Sequence, residues 1–382
     1  MHPDLQRLKA RRPVTSERVA AFLRRHDFPL QEGRRFTFVY RGAVDAVRLR
    51  HWIFGLPSSQ PFHPLEGTDL WWIDLELPRR SRIEYKLEIE RGGKTEWILD
   101  PLNPHRAQDP FGANSVLHGE GYVIPRWTRP DPGVRSGSLE ELRIDSRAFG
   151  EPREILVYRP ARPRSSGRYP LLVVHDGRDY LQYAALGTVL DNLVGRMEIP
   201  PLVVALTQTR DRLSEYADDP RHARFVMEEI PAHLERELGR ELPLERDPSL
   251  RGLMGASFGA VAALSAAWRY PGRFGRLLLQ SGSFAFTDIG PSARGEVFDP
   301  VVGFMDRFRR APGKPVEKVF VSCGVYESLI YENRSLVPRL QETGMEVRYR
   351  EARDGHNWES WRDRLREGLS WLFPGPLWMV YE

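Results

Sequence analysis

Residues 250–267 read LRGLMGASFGAVAALSAA and pass from a short apolar strand pattern through Gly-x-Ser-x-Gly into an alanine-rich helix pattern. This arrangement is the sequence form of a nucleophile elbow. Gly255 and Gly259 are required because the chain reverses so sharply at Ser257 that a side chain at either position would collide with backbone. The turn predicts an exposed serine hydroxyl at a helix N-terminus, where free N–H groups favour negative charge. The alternative is a Gly/Ser turn ahead of an ordinary core helix.

The second half of the chain, residues 138–382, alternates strand and helix patterns around this stretch. After an opening hairpin at 139–158, near-continuous apolar strands are predicted at 171–175, 202–206, 250–254, 277–280 and 319–323. Helices are predicted at 183–196, 221–238, 258–270, 334–341 and 358–372. Apolar strands that alternate with helices predict a mostly parallel sheet covered on both faces, so the fold class is α/β.

In the first half of the chain the apolar residues follow a different spacing. Residues 1–33 form a helical segment with one amphipathic helix predicted at 15–26. Over residues 34–125 the apolar positions alternate, and short strands are predicted at 36–40, 44–51, 70–77, 83–91 and 96–99. Strands of this spacing favour a β-sandwich, followed by an irregular arm at 100–117. Residues 126–137 are rich in proline and glycine and are interpreted as a linker.

Composition narrows the classes of function. The 382 residues carry a net charge of +4, which is too small and too dispersed to predict nucleic-acid binding but suits an anionic small substrate. The single cysteine, Cys323, excludes an intramolecular disulfide and is compatible with the cytoplasm. The N-terminus lacks the apolar segment of a signal peptide, and no run of 18 apolar residues predicts a membrane span. The sequence does not indicate an oligomeric state.

A serine nucleophile needs a base and a group that orients the base. His356 is the one histidine that follows Ser257, and it lies in a loop between a strand-like stretch and a helix. The acid is expected after the strand at 319–323, where Glu327 follows Gly324. Asp354 is too close in sequence to His356 to orient it from the far side. A dyad without an acid is the alternative. No zinc, Walker or dinucleotide motif occurs, so no metal or cofactor is predicted.

Two further loops are candidates for the site. The oxyanion hole needs the amide of Phe258 and a second amide after an earlier strand, for which Gly177 or Arg178 is the candidate. An ordinary Asp-Gly turn is the alternative there. Arg210 and Arg212 follow the strand at 202–206, on the edge where open α/β sheets bind ligands. They are suited to an anionic or catecholate-like group, and solvated loop arginines are the alternative.

With these residues in hand, the chain resembles the enterochelin esterases, within the esterase D-like group of α/β-hydrolases. In the second half the resemblance rests on His175-Asp176-Gly177, Arg212-x-x-Glu215-Tyr216, Gly255-Ala256-Ser257-Phe258-Gly259, Gly324-x-x-Glu327 with Asn333-Arg334, and Gly355-His356-Asn357-Trp358-x-x-Trp361. In the first half it rests on Gly67-Thr68-Asp69-Leu70-Trp71, Arg82-Ile83-Glu84-Tyr85-Lys86 and Asp100-Pro101-Leu102-Asn103-Pro104. The resemblance implies an α/β-hydrolase domain preceded by an immunoglobulin-like β-sandwich.

The resemblance also implies an activity. Ser257, Glu327 and His356 would be the catalytic triad of a serine esterase that cleaves a ferric catecholate siderophore in the cytoplasm through an acyl-enzyme. The family motifs add His175, Glu215, Tyr216 and Trp358 as candidate substrate contacts. Two positions depart from the family pattern: Asp218-Asp219 replaces an expected asparagine, and Asp354 replaces a glycine.

Other functions stay open at this point. The same triad would serve an acyltransferase or a carbohydrate-ester (feruloyl or acetyl) esterase. A chain with an inactive hydrolase half would instead be a glycan-binding or interaction protein.

Overall fold

The computed structural model describes residues 1–11, 13–161, 167–287 and 295–376, and these residues form two compact units. The first unit contains Met1–Ile124 together with two short later segments, Gly324–Glu327 and Ala352–Asn357. The second unit contains Pro125–Cys323, Ser328–Glu351 and the described residues from Trp358 onward.

The first unit begins with two helices, α1 (Pro3–Ala10) and α2 (Ser16–Arg25). The predicted helix at 15–26 is α2, which the Thr15 side chain caps by accepting the N–H of Arg18. Helix α1 was not predicted, because only two of its residues are buried and its apolar stripe is short.

Ten strands follow within the first unit: β1 (Leu30–Glu32), β2 (Arg35–Arg41), β3 (Ala46–His51), β4 (Ser59–Pro61), β5 (His63–Pro64), β6 (Leu70–Glu76), β7 (Arg82–Arg91), β8 (Lys94–Ile98), β9 (Arg106–Asp109) and β10 (Gly112–His118). Among the described residues they form two antiparallel sheets, ordered β1-β2-β6-β5 and β4-β3-β7-β10-β9, with β8 paired to β7. Side chains of both sheets, including Phe38 and Leu87, share one core. The immunoglobulin-like character of this unit stays a prediction.

The prediction of an irregular arm at 100–117 is wrong from Arg106 onward, where β9 and β10 lie. Strand β10 pairs with β7 through Ser115 opposite Tyr85, and β9 pairs with β10. The buried polar residues Asn114 and Ser115 interrupt the apolar alternation of β10, which hides the strand from a periodicity analysis.

The second unit is built on an eight-stranded sheet, counted over the described residues. Its strands are β11 (Ser138–Ser146), β12 (Glu151–Arg159), β13 (Leu171–Val174), β14 (Val203–Thr207), β15 (Arg251–Ala256), β16 (Arg276–Gln280), β17 (Lys318–Gly324) and β18 (Glu346–Ala352). The spatial order is β11-β12-β14-β13-β15-β16-β17-β18. Pairs from β14 to β17 are parallel, and the hairpin β11–β12 is antiparallel, which confirms the predicted α/β class.

Helices lie on both faces of this sheet: α3 (Gly177–Tyr183), α4 (Leu186–Gly195), α5 (Arg212–Glu215), α6 (Pro220–Arg224), α7 (Ile230–Leu238), α8 (Phe258–Arg269), α9 (Asp299–Arg310), α10 (Ile330–Glu342) and α11 (Trp358–Leu372). Alternate residues of β13 point to opposite faces, so Leu171 and Leu172 enter different cores. The prediction of one helix at 183–196 is wrong at its start, because Ala185 adopts a left-handed conformation and separates α3 from α4.

No helix in the described part of the chain has the length and apolar character needed to cross a bilayer.

Candidate active site

The Gly-x-Ser-x-Gly stretch forms the sharp strand-to-helix turn that its sequence predicts. Ser257 lies between β15 and α8 with φ 55° and ψ −121°, a conformation that non-glycine residues adopt only where the surroundings enforce it. Its N–H donates to the carbonyl of Gln280 at the end of the neighbouring strand, at 3.0 Å. A Cβ on Gly255 would lie 2.3 Å from the carbonyl carbon of Gly259, so the turn requires glycine there.

The two candidate oxyanion donors follow neighbouring strand ends. Strands β13 and β15 are parallel neighbours with Val174 opposite Met254. Gly177 and Arg178 are the first residues of α3, and Phe258 is the first residue of α8. Amide groups in the first turn of a helix have no acceptor within that helix, so both loops present donors of the kind an oxyanion hole needs.

Arg212 links these two loops. Its guanidinium donates to both carboxylate oxygens of Asp176, at 2.9 to 3.0 Å, and its Nη2 also donates to the carbonyl of Ala256 at 3.3 Å. Asp176 is buried, has φ 53°, and donates its own N–H to the Tyr216 hydroxyl at 3.0 Å. The residue before Gly177 and the residue before Ser257 are therefore held by one side chain.

Arg210 and Glu215 are also engaged within the protein. The exposed Arg210 pairs with Glu151, and its N–H donates to Glu215 at 3.3 Å. Glu215 is buried and forms an ion pair with Arg153 at 2.9 Å. Arg178 is exposed and pairs with Glu141 at 3.2 Å. Of these, Arg178 and Arg210 lie at the surface, while Glu215 lies beneath it.

His175, Tyr216 and Trp358 are buried aromatic side chains. His175 Nδ1 bonds the carbonyl of Met254 at 2.9 Å, and its ring meets Tyr216 edge-to-face at 5.2 Å. Trp358, at the start of α11, packs edge-to-face against Tyr180 at 5.1 Å. All three side chains are therefore packed within the core.

His222 is a buried neighbour of His175 that the sequence did not single out. The two rings lie 5.1 Å apart, and in the described part of the chain neither Nε2 has a hydrogen-bond partner. Burial lowers the pKa of His175, and burial with the adjacent His175 lowers the pKa of His222 well below its ordinary value. Both imidazoles are therefore neutral at pH 7. The described residues contain no cluster of three or more His, Cys, Asp or Glu that could hold a metal ion.

Ser283 is a second hydroxyl next to the elbow that sequence reasoning missed. Its Oγ lies 3.2 Å from Ser257 Oγ, and its N–H donates to the Ser257 carbonyl at 3.2 Å. The preceding Gly282 is held by Asn333, whose side chain accepts its N–H and donates to its carbonyl. The place of Ser283 in the sequence could have identified it, because Ser281-Gly282-Ser283 directly follows β16, the strand next to the elbow strand β15.

Glu327 and His356 form a bonded pair. Glu327 Oε2 lies 2.6 Å from His356 Nδ1, and Glu327 Oε1 accepts the N–H of Gly324 at 2.6 Å. The carboxylate is buried, while the imidazole side chain is 36% exposed. A Cβ on Gly324 would lie 2.4 Å from the Asp354 carbonyl oxygen, so the turn that presents Glu327 requires glycine. Both residues belong to the first unit, whereas Ser257 belongs to the second.

Comparison with known proteins identifies the family. Residues 146–372 match the Esterase family model, described as "Putative esterase". An iron(III) enterobactin esterase of Dickeya dadantii is 25% identical over 360 residues, covering 83% of this chain and 80% of that protein. The iron(III) enterobactin esterase of Escherichia coli K12 is 25% identical over 343 residues, covering 82% of each.

A solved structure supports the same fold. The crystal structure of the enterobactin esterase of Shigella flexneri, determined in the presence of enterobactin, matches with a TM-score of 0.71 at 22% identity. The match covers 88% of this chain and 92% of that one, and at this identity it establishes the fold. Since the family model spans more than half of the 382 residues, the chain belongs to this Esterase family and is a serine carboxylic-ester hydrolase.

Proposed function

We propose that Ser257, His356 and Glu327 are the nucleophile, the general base and the orienting acid of this esterase. The observation that carries the proposal is the 2.6 Å contact between Glu327 Oε2 and His356 Nδ1. A carboxylate that accepts the Nδ1 proton leaves Nε2 as the basic atom, which is the arrangement a serine nucleophile requires. The strained elbow at Ser257 adds independent support.

The reaction follows from these roles. Ser257 Oγ attacks the ester carbonyl carbon while His356 Nε2 takes its proton. The amide of Phe258, with that of Gly177 or Arg178, donates hydrogen bonds to the oxyanion. The intermediate collapses to an acyl-enzyme as His356 protonates the departing alcohol. His356 then takes a proton from a water molecule as its oxygen attacks the acyl carbon, and returns that proton to Ser257 Oγ as the acyl–oxygen bond breaks and the carboxylic acid is released.

The substrate is proposed to be an ester of an iron-loaded catecholate siderophore, as the names of the relatives indicate for those proteins. Arg210 and Arg212 are the proposed contacts for an anionic ligand that carries iron as part of the substrate, and each of them also pairs with a carboxylate of the protein, Glu151 or Asp176. The role proposed for His175, Glu215, Tyr216 and Trp358 is to support the residues that contact the substrate. Their own side chains are buried and are packed or bonded within the protein. The cytoplasm is the proposed site of action.

The two departures from the family pattern fit this proposal. Asp218 pairs with Arg269 at 2.8 Å and with Arg307 at 2.5 Å, so its charge is balanced within the protein. Asp354 pairs with Arg82 at 3.2 Å. Asp218 and Asp354 are therefore each paired with an arginine of the protein.

Ferric enterobactin and p-nitrophenyl butyrate, assayed in parallel, test the activity and the substrate. We expect both to be hydrolysed, with linear products of enterobactin seen by chromatography, and Ser257→Ala to abolish both reactions while remaining folded. Ser265→Ala is the matched control, because Ser265 is a buried serine of α8 bonded to Asp218. Full turnover by Ser257→Ala would refute the nucleophile. Cleavage of the butyrate alone would refute the siderophore substrate.

A further inference from the structure

A buried arginine of the first unit reaches the loop that carries His356. Arg82, at the start of β7, is 1% exposed. Its Nη1 donates to Asp354 Oδ1 at 3.2 Å and to Asn357 Oδ1 at 2.9 Å. Its Nη2 donates to Glu84 at 2.8 Å, and its backbone N–H donates to the carbonyl of Arg353 at 2.8 Å. One residue thus bonds this loop on both sides of the histidine.

Asp354 passes this restraint to His356. Its Oδ1 accepts the backbone N–H of Gly355 at 2.7 Å and the side-chain amide of Asn357 at 2.8 Å. The residues immediately before and after His356 are therefore bonded to one carboxylate oxygen, and Arg82 holds that carboxylate. Burial raises the pKa of Asp354 to about 6, and the charge of Arg82 opposes that rise.

The loop that carries Glu327 is tied to the same two-sheet unit. Tyr326 places its hydroxyl 2.5 Å from Ser81 Oγ, and its carbonyl accepts the N–H of Phe54 at 2.7 Å. Its own N–H donates to the carbonyl of Asp354 at 3.1 Å, which joins the two loops to each other. The acid and the base are thus bonded to strands and turns of the first unit as well as to one another.

We propose that Arg82 is a positioning residue of the esterase reaction, which sets the His356 imidazole through Asp354 and Asn357. The role of the first unit is then to fix the positions of the Glu327 and His356 side chains. The proposal rests on the triad assigned above, and it extends that assignment to a residue that touches neither substrate nor reacting atoms.

Energetics favour a positioning role over a purely stabilising one. A buried ion pair contributes little net stability, because desolvation of both charges offsets their attraction, and apolar replacements are often neutral. A displacement of about 1 Å at a catalytic group, by contrast, can cost about 10²-fold in rate. An Arg82–Asp354 pair at this place is therefore expected to matter more for turnover than for folding.

The test compares Arg82→Met, Arg82→Lys and the triple variant Arg82→Met/Glu84→Gln/Asp354→Asn, which also removes the charges of the two carboxylates that pair with Arg82. The control is Arg34→Met, since Arg34 lies in the same unit but is 54% exposed and only loosely paired with Glu76. For each protein, kcat and KM for p-nitrophenyl butyrate and the free energy of unfolding in urea are measured.

We expect Arg82→Met to lower kcat about 10²-fold with KM changed less than threefold. Arg82→Lys should recover about tenfold of that loss, since it keeps one charged bond to Asp354. The triple variant should regain unfolding stability but not kcat. A triple variant with kcat within twofold of the unmodified protein would overturn the proposal, as would losses that follow the folded fraction. If Ser257→Ala is inactive while Arg82 variants turn over normally, only this inference fails; an active Ser257→Ala defeats the triad itself.

Discussion

The proposed nucleophile and the proposed acid–base pair are positioned by different kinds of bond. Ser257 is fixed by backbone: a strained turn, a pairing with Gln280 of the next strand, and glycine two residues before it. Glu327 and His356 are fixed largely by side chains, through Asp354 and Arg82 on one loop and Tyr326 on the other.

The two regions should differ in how well they tolerate amino-acid substitutions. Hydrogen bonds between strands survive most side-chain substitutions, so the elbow should withstand replacements around it unless they touch its glycines or its immediate polar contacts. A loop held by a few buried polar groups loses its geometry when one is removed, because the partner is left unsatisfied. The acid–base side should therefore be the more sensitive of the two regions.

The largest effect is expected from Glu327→Gln. The amide removes the charge that stabilises a protonated His356 and favours the wrong imidazole tautomer, so kcat should fall about 10²- to 10⁴-fold with little change in KM. Steady-state kinetics with p-nitrophenyl butyrate measure this. Glu346→Gln, an exposed glutamate of β18 paired with Lys318, is the control. An unchanged kcat would favour a Ser–His dyad.

On the nucleophile side, Arg212→Gln should lower kcat about tenfold. The variant releases Asp176 and Ala256, which loosens the amide at Gly177 without deleting it, and deletion of a donor costs about 10²–10³. A rise in KM at constant kcat would show instead that Arg212 acts only by binding the substrate. Arg221→Gln, an exposed arginine paired with Asp219, serves as the control.

Ser283→Ala should have a smaller effect, a loss of about fivefold in kcat, the equivalent of one neutral hydrogen bond of ~1 kcal/mol. The reason is that the Ser283 hydroxyl orients that of Ser257 before attack. The kcat of Ser265→Ala, which loses the hydrogen bond of a buried serine in α8, gives the baseline. Equal values for the two variants would remove Ser283 from the mechanism.

The smallest effect concerns pH and stability. The pKa of His222 is lowered in the folded state by burial and by His175 and Arg153, so below about pH 6.5 the unfolded chain binds more protons than the folded one. Stability is then fully present above that pH and falls below it, by up to ~1.4 kcal/mol per pH unit for this residue.

His222→Phe removes this titration. Urea unfolding at pH 7.5 and pH 5.5 should show that the variant loses about 1 kcal/mol less than the unmodified protein over this interval. The difference between the two proteins isolates His222 from other titrating groups, among them Asp354. An identical loss in both would mean that folding does not lower the pKa of His222.

For the candidate site, the sequence provides those assignments that follow from local pattern and sheet topology. Ser257 stands in a contiguous motif, and Glu327 and His356 were placed by their order after the elbow and after successive strands. Helix α9 was not predicted, although the spacing of its apolar residues is helical. The buried residues that show this spacing are Val301, Phe304, Met305 and Phe308.

Other features could not be predicted because they depend on contacts between distant parts of the chain. Arg82 and Asp354 are 272 positions apart, and no local pattern relates them. The sequence showed Asp354 only as a departure from the family pattern, and its bonds to Arg82 and Asn357 give that departure a physical role. His222 lies within an ordinary amphipathic stretch, and only the fold brings it beside His175.

Activation of Ser257 by His356 can be measured as the rate of labelling by a fluorophosphonate, followed by intact-protein mass. We expect one adduct per chain located on Ser257, no adduct on Ser257→Ala, and labelling of His356→Ala slowed at least about 10²-fold. Labelling of Ser257→Ala, or equal rates for His356→Ala and the unmodified protein, would contradict it.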